Sequence, residues 1–170
     1  MKFNLLDKIE RVSDDCIVGV KAVSLAEEYL ADHFPTFPVL PGVLMLEALT
    51  QAAGWLMHRR KQFACSMAVL KEARNVKYGN FVTPGNCLRV EVKWNDATAT
   101  GAVFDALATV GPSEASGAAA ATAVKARLEL AYFNLADKQS GLAEIDARLR
   151  QHNRDRWALI APAQAATTTL

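Results

Sequence analysis

The run PVLPGVLMLEALTQAAGWLM, residues 38–57, is long enough to cross a bilayer, yet it carries a carboxylate near its middle. No other segment limits the possible folds so strongly. About 20 apolar residues make a membrane span. An acid at the centre of a lipid-facing helix, however, costs about 3 kcal/mol on insertion scales. Glu47, Thr50 and Gln51, with Pro38 and Pro41 at the start, therefore favour a helix buried in protein over one buried in lipid. Proline suits a helical first turn, so the helix should begin just after Pro41-Gly42. It should end near His58-Arg59-Arg60-Lys61, where positive charge complements the carbonyl end of the helix dipole. Val43, Leu44, Met45, Leu46, Leu49, Ala52, Trp55 and Leu56 cover nearly its whole circumference. That is the pattern of a helix buried on all sides.

The rest of the chain has the composition to bury it. With 170 residues, 51% hydrophobic and 22% charged, the length suits one globular domain. The hydrophobic content excludes intrinsic disorder. A net charge of +1 argues against a generally basic nucleic-acid binder. The start, MKFNLLDKIERVSDD, has charges throughout and no apolar core of signal-peptide length. Cys16, Cys65 and Cys87 are odd in number and widely spaced, which reads as free thiols in a reducing cytoplasm.

Several segments alternate with period two, the mark of half-buried strands. In CLRVEVKW, Leu88, Val90, Val92 and Trp94 share one face, and Arg89, Glu91 and Lys93 the other. In VKARLELAYF, Val124, Ala126, Leu128, Leu130 and Tyr132 point inward. GAVFDALATV alternates through Phe104, Ala106, Ala108 and Val110, and CIVGVKAVS also reads as a strand. TPGN at 83–86 and GPSEASG at 111–117 supply turns. One buried helix with several one-sided antiparallel strands implies a sheet wrapped around that helix, an α+β fold. This domain is expected over 1–135. An amphipathic helical extension over 136–161 follows, with Leu142, Ile145 and Leu149 at helical spacing, and then a disordered tail at 162–170.

The helix has one polar stripe: Glu47, Thr50, Gln51 and His58, with Gly54 on the same side. A carboxylate among apolar residues is expensive unless partnered or neutral. Ahead of the helix, DHFPTFPVLPG places Pro35, Pro38 and Pro41 in a stiff, extended loop that carries His33 toward the helix start.

The segment HFPTFPVLPGVLMLEALTQ resembles the signature of the beta-hydroxyacyl-acyl-carrier-protein dehydratases, H-F-P-x(5)-P-G-V-x(3)-E-A-x-x-Q as it stands here. The resemblance continues into NVKYGNFVTPGN and covers roughly residues 5–135. It implies the hot-dog fold, a curled antiparallel sheet around one helix, in agreement with the periodicity. It also implies removal of water from a (3R)-3-hydroxyacyl thioester to give the trans-2-enoyl thioester. His33 would take the alpha proton as general base. Glu47 would protonate the leaving hydroxyl; an apolar helix favours the neutral form that this requires. The Gly42 N–H would bind the thioester carbonyl at the helix N-terminus. Gln51, one turn beyond, would orient Glu47. No cofactor and no metal are expected.

The implied partner is an acyl carrier protein bearing 3-hydroxyacyl-phosphopantetheine, and the implied assembly a homodimer at least, with a hexamer as the family's common state. Carrier proteins are acidic, and Arg59, Arg60, Lys61 and Lys77 fall within a stretch holding six Lys or Arg against one acid, a candidate dock. Departures from the family pattern include Asp32, Thr36, Gly79, Asn80 and Asn86. Two other readings share the same residues: an (R)-specific enoyl-CoA hydratase, and a non-catalytic hot-dog protein that binds carriers.

Overall fold

A computed structural model describes residues 3–112 and 120–162. Six strands form one antiparallel sheet in the order β1-β2-β4-β5-β6-β3. They are β1 (Lys8–Val12), β2 (Cys16–Ala22), β3 (Met67–Tyr78), β4 (Asn86–Thr98), β5 (Gly101–Pro112) and β6 (Ala121–Phe133). Between β2 and β3 lie a four-residue helix, α1 (Tyr29–Asp32), and the long helix α2 (Gly42–Arg60). A short 3-10 turn, Leu135–Asp137, leads to α3 (Ala143–Ile160). Of the expected turn at 111–117, Gly111 and Pro112 instead end β5; the rest of it and the tail from 163 onward lie outside the described residues.

The alternation in the strands reports the inner face directly. Leu88, Val90 and Val92 on β4, Phe104 on β5, and Leu128 and Leu130 on β6 are all fully buried. They close over Ala48, Leu49, Ala52, Ala53, Leu56 and Met57 of α2, also fully buried. Small residues on the helix let the sheet approach closely, as dense packing requires. This sheet curled around one helix is the hot-dog fold.

One expectation needs correcting. α2 is not covered on all sides. Val43 is 70% exposed, and Leu44, Glu47, Gln51 and Trp55, spaced three and four apart, are only half-buried. The sheet curls without closing, so one stripe of α2 faces the gap. Among the described residues, no helix is long and apolar enough to cross a membrane.

The C-terminal helix also docks differently from its apolar pattern. Ile145 is 44% exposed, whereas Asp146, Trp157 and Ile160 are buried. Asp146 anchors the helix: it accepts the Ser66 hydroxyl and the Leu135 and Ala136 N–H groups, the last two at 2.9 Å each. Burial pushes its carboxyl pKa up, but these donors and Arg150 outweigh that and hold it below the usual carboxylate value. Trp157 stacks obliquely against Trp55, centroids 5.9 Å apart.

His58 lies beneath this helix, 7% exposed, beside the Tyr132 hydroxyl at 3.3 Å and parallel to Phe63. Burial lowers its pKa from 6.5 to about 4. The unfolded imidazole takes its proton near 6.5, so between those values the unfolded chain binds more protons. Stability is therefore fully present above about pH 6.5 and falls as the pH drops toward 4, by about 3 kcal/mol. Urea unfolding of wild type and His58→Phe at pH 7 and pH 4 checks this. The wild type should lose about 3 kcal/mol more than the variant; parallel losses would mean that His58 titrates normally.

Candidate active site

His33 caps the C-terminus of α1, its N–H bonded to the Tyr29 carbonyl at 3.2 Å. Its Nδ1 lies 3.2 Å from the Val39 carbonyl. A carbonyl can only accept, so this contact assigns the proton to Nδ1 and leaves the Nε2 lone pair available as a base. The proline-rich loop is pinned rather than merely stiff. Val39 and Leu40 are buried, and the Leu40 N–H donates to Val82 at 2.8 Å. Directly after His33, Phe34 takes a left-handed backbone with φ 51°, an unfavourable state for a bulky residue. The turn closes through the Phe37 N–H to the Phe34 carbonyl at 2.8 Å.

Glu47 projects from the second turn of α2 on the uncovered stripe. Its Oε1 accepts from Gln51 Nε2 at 2.9 Å. Gln51 is itself held by the chain's beginning: Oε1 accepts the Leu5 N–H at 2.9 Å, and Nε2 also donates to the Phe3 carbonyl at 3.1 Å. The backbone donor thus decides which end of the carboxamide faces Glu47. Pro41 provides no side-chain cap to α2, and the Gly42 N–H, at the first turn, has no intrahelical acceptor. Tyr78, at the end of β3, stands over Gly42. A Cβ built on that glycine would come within 3.1 Å of the ring.

Within one chain, His33 and Glu47 share no hydrogen bond or ion pair among the described residues. The surroundings of His33 are unusually apolar for a surface. Phe34 is 56%, Phe37 51% and Phe81 65% exposed, with Phe37 and Phe81 in edge contact at 5.6 Å. The strand β3 that ends beside them is an edge of the sheet, so one side of its backbone lacks a partner strand.

The expected basic dock is not brought together. The chain leaves along α2 and returns along β3, so Arg59 and Lys77 end at opposite ends of a helix about 28 Å long. Arg59 lies 3.5 Å from Asp14, and Arg60 donates to the Asp14 carbonyl at 2.8 Å while covering the Trp94 ring at 4.4 Å. Both hold the β1–β2 turn, and Arg60 also covers β4. Lys61 caps α2 at the same end. Lys77 alone of the four lies beside the Gly42 end. Tyr78 was not distinguished by any sequence signal, because its contact with Gly42 depends on where β3 ends. No group of three or more metal-ligating side chains occurs among the described residues.

A hot-dog fold with a loop histidine, a helix-borne acid and a free N–H at the helix start defines a class of proteins that handle acyl thioesters. Within that class the chain belongs to the FabA-like family, whose model, a FabA-like domain, matches residues 1–116. It is 40% identical over 108 residues to the 3-hydroxyacyl-[acyl-carrier-protein] dehydratase FabZ of Lactococcus lactis subsp. cremoris (strain SK11), covering 64% of this chain and 75% of that protein. Its identity to FabZ of Streptococcus mutans serotype c (strain ATCC 700610 / UA159) is 40% over 114 residues, 66% of this chain and 81% of the relative. Among solved structures, the dehydratase heterocomplex ApeI:P from Xenorhabdus doucetiae superposes with TM-score 0.61 at 20% identity, over 80% of this chain and 87% of that one. A hypothetical thioesterase with coenzyme A from Streptococcus pneumoniae TIGR4 gives 0.54 at 14%, over 74% and 84%. These last two likenesses are of fold.

Proposed function

We propose that this protein dehydrates (3R)-3-hydroxyacyl-acyl-carrier-protein to the trans-2-enoyl form in fatty-acid or related lipid synthesis. The observation that carries this reading is 40% identity to FabZ dehydratases over three-quarters or more of their length. His33 Nε2 removes the proton alpha to the thioester, and the electron pair moves toward the carbonyl, whose oxygen accepts the Gly42 N–H. The C3–O bond then breaks as Glu47 delivers a proton, and the hydroxyl leaves as water. Gln51 positions Glu47. The proton on His33 and the vacancy on Glu47 are reset by exchange with solvent. No redox step or group transfer occurs.

The working unit is a dimer at least. Support comes from the free edge of β3, the exposed aromatic rings around His33 and the uncovered stripe of α2. A second copy would cover all three and set His33 of one protomer opposite Glu47 of its partner.

Enoyl absorbance of the purified protein with carrier-linked and CoA-linked 3-hydroxyacyl substrates tests the proposal. Turnover on the carrier, by a species that light scattering finds larger than a monomer, is the expected result. Preference for CoA would favour the hydratase reading, and no turnover at any chain length would favour the non-catalytic one.

A further inference from the structure

On the outer face of the sheet, away from α2, two cross-strand rows run from β3 to β4. The register aligns Lys77, Lys125, Leu107 and Glu91 in one, and Arg74, Arg127, Asp105 and Lys93 in the other. Lys77 is thus paired with Lys125, and Arg74 with Arg127, along the same β3–β6 seam. Like charges directly opposite on neighbouring strands are destabilising. Part of the charge is answered locally: Glu72 holds Arg74 at 2.6 Å, and Glu91 holds Lys93 at 2.9 Å. Asp105, opposite Arg127, instead accepts from Asn95 at 3.2 Å. Lys77, Lys125 and Arg127 are exposed and hold no ion pair among the described residues.

The seam is also bent. The pairing slips between Arg74 and Lys77, where Asn75 takes a left-handed φ of 53°. The outer face is hollow here. A cavity of about 580 Å³ is lined by four cations, Lys77, Lys93, Lys125 and Arg127, against two acids, Glu91 and Asp105, and a second of about 310 Å³ shares Asn75 and Arg127 with it. Leu107, 39% exposed, adds an apolar contact to the larger one. Neighbouring residues on a strand point to opposite faces. Tyr78 therefore packs on Gly42 on one side of β3 while Lys77 enters the hollow on the other.

We propose that this outer-face groove docks the acidic face of the carrier protein, with Lys77, Lys125 and Arg127 as the recognising contacts. The identity of the partner rests on the reaction proposed above. An acidic helix laid along the seam neutralises Lys77 and Lys125, which the sheet sets opposite each other, together with Arg127 beside them, and so turns a local repulsion into a source of specificity. A second copy of this chain does not suit the groove, because a two-fold contact would set the cationic patch against itself.

The test is the double variant Lys125→Glu with Arg127→Glu. It should raise the ratio of KM for the carrier-linked substrate to KM for a short soluble 3-hydroxyacyl thioester about tenfold, and flatten the salt dependence of the former. The thermal midpoint should stay close to wild type, since the new attractions to Lys77 and Arg74 are offset by a new repulsion between position 127 and Asp105. An unchanged KM ratio overturns the groove, as does an altered oligomeric size by light scattering, which would make it a contact between copies. Calorimetric binding of the carrier, read without turnover, separates this idea from the proposed reaction. If wild type binds the carrier and the variant does not, the groove stands even where no dehydration is seen. Equal binding by both overturns it even where dehydration is rapid.

Discussion

Replacing His33 with alanine is expected to lower kcat for dehydration about 10³-fold, within the range by which a positioned general base accelerates proton transfer. The loss should fall on kcat and leave KM nearly level, since the imidazole is used in the transition state rather than to hold the substrate. The fold should survive. His33 is only half-buried, and among the described residues its one side-chain bond is to the Val39 carbonyl, on a loop already held by buried Val39 and Leu40. Circular dichroism and a thermal midpoint close to wild type would establish that. A kcat within tenfold of wild type would remove His33 from the mechanism.

Glu47→Gln should match that loss, about 10²–10⁴-fold in kcat. The amide keeps the shape of the side chain and an oxygen for Gln51 Nε2 to bind. What it lacks is a proton acidic enough for the departing hydroxyl. Combining it with His33→Ala should cost little beyond the worse single variant, because groups that act in one concerted sequence are not additive. Gln51→Ala is expected to act more mildly, about tenfold, by loosening a carboxyl that is still present. If Glu47→Gln retained most of its activity while Gln51→Ala abolished it, the roles given to the two would be reversed.

The helix and the strands β4, β5 and β6 could be read from sequence because each buries one regular face. Gly42–Arg60 is the helix that Pro41 and the terminal basic residues delimit, and Leu88, Val90 and Val92 are buried as their alternation requires. β3 defeats the same reasoning. Slips in pairing near Glu72 and between Arg74 and Lys77 change which residues face inward, so no steady period survives. In α3, counting apolar residues singles out Ile145, yet Asp146 next to it is the buried one, because Ser66 and two backbone N–H groups wait for a carboxylate. The basic stretch divides in space for another reason. Nearness in sequence says little where the chain runs out along a helix and back along a strand. The stripe of Glu47 and Gln51 was visible from helical spacing, but the anchorage of Gln51 to Phe3 and Leu5 was not, since it joins residues 46 and 48 positions apart.

The strand order bears on how the molecule is made. β6 lies between β5 and β3, although β3 is synthesised before either. While the ribosome is still working toward residue 121, β3 has left it with no neighbour to pair with, and its backbone must be satisfied by water. Removing β6 would therefore strip two strands from the sheet instead of one, and both edges of the seam that carries Lys77 and Lys125 would go with them. The last strand to emerge joins the front of the molecule to its back.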